Sequence, residues 1–253
     1  MRPRRAPKDW VAPGPPPAGG DDQPCAGEEL SYLCGDWRLF QKRQGHRWSL
    51  DDLVTAWVAC REAPSAHTAL DLGCGLGSVL LLCAWKLPSC SFTGIEAQAD
   101  RAALARRSIR WNGVEHRAKV LDGDFRDGVE GRFDLITGTP PYFPPGTGTV
   151  STKPHAEACR FELRGGVEDY VAAAVPRLAR GGAFVMCGTR PAVPKPSLRV
   201  VVIPKAGKAP LFTVEVARDG ASAQREETLV VRGADDQWTP QFLAVRTAMG
   251  MPC

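Results

Sequence analysis

No stretch of this 253-residue chain approaches the ~20 apolar residues that a bilayer span needs. The longest apolar run, Val79 to Trp85, has seven residues, so no transmembrane helix is expected. The nine cysteines include no CxxC pair and are odd in number, which argues against both a disulfide framework and a zinc ribbon. The four histidines (His46, His67, His116, His155) show no ligand spacing to one another or to the cysteines, and no metal site is expected. No apolar signal core follows the basic start, and residues 1–30 hold no Ser or Thr, against an organellar transit peptide. The cytoplasm is the expected compartment, with the nucleus as the alternative. At 43% hydrophobic and 24% charged residues, the chain is ordinary for a folded protein. That composition excludes a collagen-like, coiled-coil or wholly disordered chain.

The net charge is +4, and Arg2, Arg4, Arg5 and Lys8 supply all of it. The remaining chain is neutral, so a nucleic-acid surface would have to be a local patch. Residues 1–27, rich in Pro, Gly and charge, read as a disordered tail, and residues 28–253 as one domain. A short strand fits Asp36 to Gln41. Ser49 begins a helix running to about Cys60, with Asp52 placed for a capping box. Strands are expected at Ala69–Leu72, Ser91–Ile95, Lys119–Leu121, Phe133–Thr137 and Gly182–Cys187. Helices are expected at Ser78–Leu87, Asp100–Trp111 and 167–179. Two strands, Arg199–Ile203 and Leu211–Val216, close the chain as an antiparallel hairpin. This alternation predicts an α/β fold with a mostly parallel sheet and helices on both faces.

The strongest local signal is Asp71-Leu-Gly-Cys-Gly-Leu-Gly, between a strand and a helix. Glycines there let a ligand approach the backbone, and the helix start offers free N–H groups. Gly73, Gly75 and Gly77 give G-x-G-x-G. Ser78 stands where a dinucleotide fingerprint wants glycine, and no Gly-Lys-Ser/Thr makes a P-loop. The segment resembles motif I of class I methyltransferases that use S-adenosyl-L-methionine. That resemblance implies a Rossmann-like class I methyltransferase fold, with a seven-stranded mixed sheet and helices on both faces. Glu96, ending the next strand, is placed to accept hydrogen bonds from both ribose hydroxyls. Asp124 is placed to accept from the adenine amine while Phe125 packs on the ring; Asp122 and Asp127 are alternatives for the Asp124 role.

After the fourth of these strands comes Thr139-Pro140-Pro141-Tyr142-Phe143, stiffened by two prolines. It resembles the Asn/Asp-Pro-Pro-Tyr/Phe motif of amino-group methyltransferases acting on adenine, cytosine or glutamine amide. There the first residue and a proline carbonyl accept the amine protons, and the aromatic ring stacks on the substrate. Thr139 departs from the pattern, since its hydroxyl is shorter and both donates and accepts. Gln41–Leu53, Ala158-Cys-Arg-Phe-Glu162 and Pro204–Pro210 extend the resemblance to bacterial adenine-N6 methyltransferases of a valine tRNA. The resemblance thus implies an RNA substrate, tRNA or rRNA, and Arg47 as a brace for the substrate loop or a phosphate. Between Tyr170 and Val214 seven basic residues occur without an acid, and Lys205 and Lys208 among them are candidate phosphate contacts. A glutamine-amide methyltransferase and a weakly catalytic RNA-associated protein are the rival readings. Oligomeric state and any activating protein partner stay open.

Overall fold

The computed structural model describes residues 22–45, 47–141, 166–218 and 224–253. It opens with a hairpin, β1 (Glu28–Cys34) and β2 (Trp37–Lys42), then α1 (Leu50–Glu62), β3 (Thr68–Leu72), α2 (Ser78–Lys86), β4 (Ser91–Glu96) and α3 (Ala99–Trp111). β5 (Ala118–Asp122), a 3-10 turn (Phe125–Asp127) and β6 (Phe133–Gly138) follow. Then come α4 (Val167–Ala174), β7 (Leu178–Gly188), β8 (Leu198–Ile203), β9 (Phe212–Arg218), β10 (Arg225–Val230) and α5 (Pro240–Ala248).

The main sheet runs β10-β8-β9-β7-β6-β3-β4-β5. β9 is antiparallel to both β7 and β8, and the other pairs are parallel. The expected mixed α/β sheet is therefore present with eight strands, not seven: β10 adds an edge strand beside β8. The Asp36–Gln41 strand belongs to the separate two-stranded hairpin. The helix expected over 167–179 stops at Ala174, because Pro176 breaks it and a 3-10 turn leads into β7. The chain does not close on the β8–β9 hairpin; β10 and α5 come after it.

The central strands bury both faces, as parallel strands must. Along β6 and β7, Leu135, Ala183 and Val185 enter the core shared with α1–α3. Ile136, Phe184 and Met186 enter the second core, under α4. The hairpin seals the first core's edge. Asn112, just past α3, accepts from Arg38 N and donates to Arg38 O, so its amide acts like a neighbouring strand. Ser49 caps α1 as expected, with its N–H donating to Asp52 Oδ2 at 2.8 Å.

Candidate active site

β3, β4 and β6 are neighbours, and the chain order reverses between β3 and β6. In an open α/β sheet, the carboxyl ends at such a point form the ligand crevice. The glycine loop lies there. Gly73, Gly75 and Gly77 have φ of 57°, 57° and 79°, values that side chains strain to adopt. Cys74 N donates to Ile95 O, stitching the loop to β4, and Gly77 is the N-cap of α2.

Glu96 is buried at the end of β4. Its Oε2 accepts from Gly75 N at 2.9 Å and its Oε1 from Gln98 N at 2.8 Å. One carboxylate thus clamps the loop while each oxygen keeps a second lone pair for an outside donor. Asp71, on β3, is also buried. Its Oδ1 accepts from Thr137 Oγ1 at 2.8 Å, and its Oδ2 has no hydrogen-bond partner among the described residues. Burial, opposed by the Thr137 hydrogen bond, pushes its pKa up to about 7. Behind it Asp52 accepts from Ser78 Oγ at 3.0 Å, and burial with the neighbouring Asp51 charge pushes its pKa up to about 8.

Of the three candidate acids at and after the end of β5, Asp122 and Asp127 are exposed, and Asp122 pairs with Arg106 at 2.7 Å. Asp124 is half-buried, and the Arg126 guanidinium holds it through Nε at 2.9 Å. Phe125 is buried, with its ring centroid 4.4 Å from that of Tyr170. Half-buried Thr139 and buried Pro140 leave the end of β6 beside the loop, followed by Pro141. Tyr142 and Phe143 lie outside the described residues.

The structure thus brings Asp71, Gly73, Gly75, Gly77, Glu96, Phe125, Thr139 and Pro140 to one edge of the sheet. It ties two of the three basic candidates to acids. Arg47 pairs with Glu29 on β1, and that guanidinium, despite partial burial, lowers Glu29 to about 2. Lys205 pairs with Asp236 at 3.3 Å, and Lys208 lies exposed in the β8–β9 turn. Strand directions put that turn on the same sheet edge as the glycine loop. Two more residues of the acid-free stretch meet acids from outside it, Arg190 on Glu168 and Arg199 on Glu215 and Glu226.

Sequence reasoning missed Thr137, Tyr170 and Arg101. Tyr170 and Arg101 stand against the glycine loop itself. The glycine at 138, closing β6, was the available sign that a large side chain packs close there. Among the described residues, no helix is long and apolar enough to cross a membrane, and no metal-ligand cluster occurs.

The chain is similar to several known proteins. The methyltransferase small domain family matches residues 49–160. A release factor glutamine methyltransferase of Chlorobaculum tepidum is 31% identical over 152 residues, covering 55% of this chain and 49% of that protein. The chain therefore spans about half the length of that relative. A tRNA1(Val) (adenine(37)-N6)-methyltransferase of Histophilus somni is 26% identical over 205 residues, covering 75% of this chain and 84% of that protein. A protein described as a predicted O-methyltransferase from Agrobacterium tumefaciens shares the fold, with a TM-score of 0.60, 17% identity, and coverage of 80% and 98%. The chain thus has a Rossmann-like fold shared with methyltransferase structures, and its residues 49–160 are similar to the methyltransferase small domain family.

Proposed function

We propose that this chain is an S-adenosyl-L-methionine-dependent methyltransferase acting on the N6 amine of an adenine in structured RNA. The observation that carries the reading is the meeting of the Thr139-Pro140-Pro141 segment with the glycine loop at the β3/β6 switch. The residues present suit this cofactor. Gly73, Gly75 and Gly77 put a loop of positive φ, without side chains, at the start of α2. Glu96 has lone pairs for two vicinal hydroxyls. Asp71 Oδ2 is a buried acceptor short of a donor, suited to a cationic group. When bound, the cofactor supplies an electrophilic methyl group on a sulfonium.

The chain's own part is positioning. Thr139 Oγ1 and the Pro140 carbonyl accept the two amine protons and leave the nitrogen lone pair free. The aromatic ring of Tyr142 stacks on the base, which single-stranded loops can splay out. No covalent intermediate with the protein is needed. RNA is favoured over protein because the similarity to the tRNA enzyme runs through most of both chains, whereas the glutamine methyltransferases match about half their length or less. The second reading, glutamine-amide methylation, is favoured by the higher identity of those relatives.

The test is calorimetry with S-adenosyl-L-methionine, followed by tritium transfer to separated RNA and protein pools. Binding with label in RNA is expected. Label only in protein would overturn the RNA reading in favour of the second. Absence of binding would overturn the assignment of the glycine loop.

A further inference from the structure

The glycine loop is covered by the chain's own side chains. Tyr170, on α4, lays its ring across the carboxyl ends of β3 and β6. A Cβ built on Gly73 would stand 2.4 Å from its Oη, and one on Gly138 would stand 2.6 Å from its Cδ1. Beside it Arg101, from α3, covers Gly75, with Nη2 2.9 Å from where a Cβ would lie. Tyr170 is only 4% exposed.

These distances decide what the ring is. A wall of a ligand pocket stands a ligand's thickness away from the opposite wall. Here even a methyl group does not fit between the ring and either glycine, so the ring fills the space that a side chain at Gly73 or Gly138 would take. We infer that Tyr170 is a gate: its ring occupies part of the cofactor's place and swings away from Gly73 and Gly138 when the cofactor seats. This rests on the reading that the loop holds S-adenosyl-L-methionine.

The surroundings allow such a movement. Among the described residues no hydrogen bond holds the Tyr170 hydroxyl, so packing, chiefly against Phe125, keeps the ring in place. α4 is eight residues long and starts after Gly166. A gate of this kind lowers apparent affinity by the fraction of chains in which it stands open. It also couples two events: the ring that leaves Gly138 uncovers the start of the Thr139-Pro140 segment, so seating the cofactor and exposing the amine-binding groups become one step.

The test measures S-adenosylhomocysteine binding to the whole chain by calorimetry and stopped flow. Tyr170→Ala removes the ring; Tyr170→Leu removes it while keeping an apolar partner for Phe125 should the alanine variant fail to fold. About tenfold tighter binding is expected, with faster association. Folded variants that bind as the wild type does, or more weakly, would overturn the gate and make Tyr170 a pocket wall, with the cofactor reading intact. If neither the wild type nor a folded variant binds, the cofactor reading itself falls and takes the gate with it. Hydrogen exchange on the wild type gives an answer without any variant. Ligand should slow exchange at Gly73–Leu81 and quicken it in α4; slowing in both would also overturn the gate.

Discussion

Two places in the main sheet bury carboxylates, and they treat them oppositely. On β9, Glu215 is 2% exposed and well supplied with donors. Arg199 Nε and Nη2 donate to its Oε1 at 2.9 and 2.8 Å, and Ala192 N and Val193 N donate to its Oε2. At the carboxyl ends of β3 and β4, Asp71 and Glu96 take only backbone and hydroxyl donors among the hydrogen bonds described, as does Asp52 behind them. Asp71 Oδ2 takes none. A buried acid with its counterion at hand serves the fold. A buried acid short of donors is tolerable where a ligand completes it.

The sharpest way to break this contrast is Arg199→Ala. It strands the Glu215 charge and should lower unfolding free energy by about 3 kcal/mol in a urea melt. Cofactor affinity should stay within about twofold. A harmless Arg199→Ala would show that the pair is not what keeps Glu215 buried. Glu96→Ala should do the reverse, weakening S-adenosyl-L-methionine binding by about a hundredfold, because charged hydrogen bonds of ~1.5–3 kcal/mol are lost. An unchanged dissociation constant by calorimetry would remove Glu96 from the site.

Acidity sharpens the same contrast. Asp71 and Asp52 are pushed above the ordinary aspartate value, to about 7 and about 8. The folded chain therefore holds protons that the unfolded chain has released above pH ~4. Stability from this source is fully present below that value and is lost as pH rises through 7 and 8. Tm of the ligand-free chain should fall by several degrees from pH 5.5 to 8.5, at about 2–4 °C per kcal/mol. Asp71→Asn should flatten the fall; a profile that kept its slope would mean that Asp71 does not carry it. Thr139→Asn, which restores the longer acceptor of the related motif, should raise turnover about tenfold under saturating substrate. A slower variant would mean that threonine is matched to this substrate.

The two regions also differ in how far the sequence discloses them. The β3–loop–α2 unit could be read because each part is local: an apolar strand, glycines at positive φ, then an apolar helix. Glu96 followed from its place at the next strand end. Thr137 and Tyr170 act across the sheet, and no window of sequence brings them to Asp71 or Gly73. β10 was hidden by its charged start, Arg225-Glu-Glu, which suits an exposed edge strand but masks the alternation that marks one. α5 did leave a sign, since Thr239 caps it by accepting from Phe242 N and Pro240 stands at its first position. The ion pairs of the basic stretch were hidden for a related reason. The acids that pair with Arg190, Arg199 and Lys205, namely Glu168, Glu215, Glu226 and Asp236, lie just outside it or on another element.

The smallest expected effect repeats the contrast within one turn. Lys205 spends its charge on Asp236, while Lys208, three residues on, is exposed, and its backbone N–H donates to Lys205 O. A phosphate contact releases a counterion, so one lysine contributes about one unit to the slope of log affinity against log salt. Lys208→Ala should weaken RNA binding about threefold at low salt and reduce that slope by about one. Lys205→Ala should do less, because its charge is already partly met by a carboxylate and the loss is shared with Asp236. Binding titrations at several salt concentrations separate the two. Equal effects would mean that the Lys205–Asp236 pair opens on RNA, and that a surface pair with both partners exposed does not withhold a lysine from a phosphate.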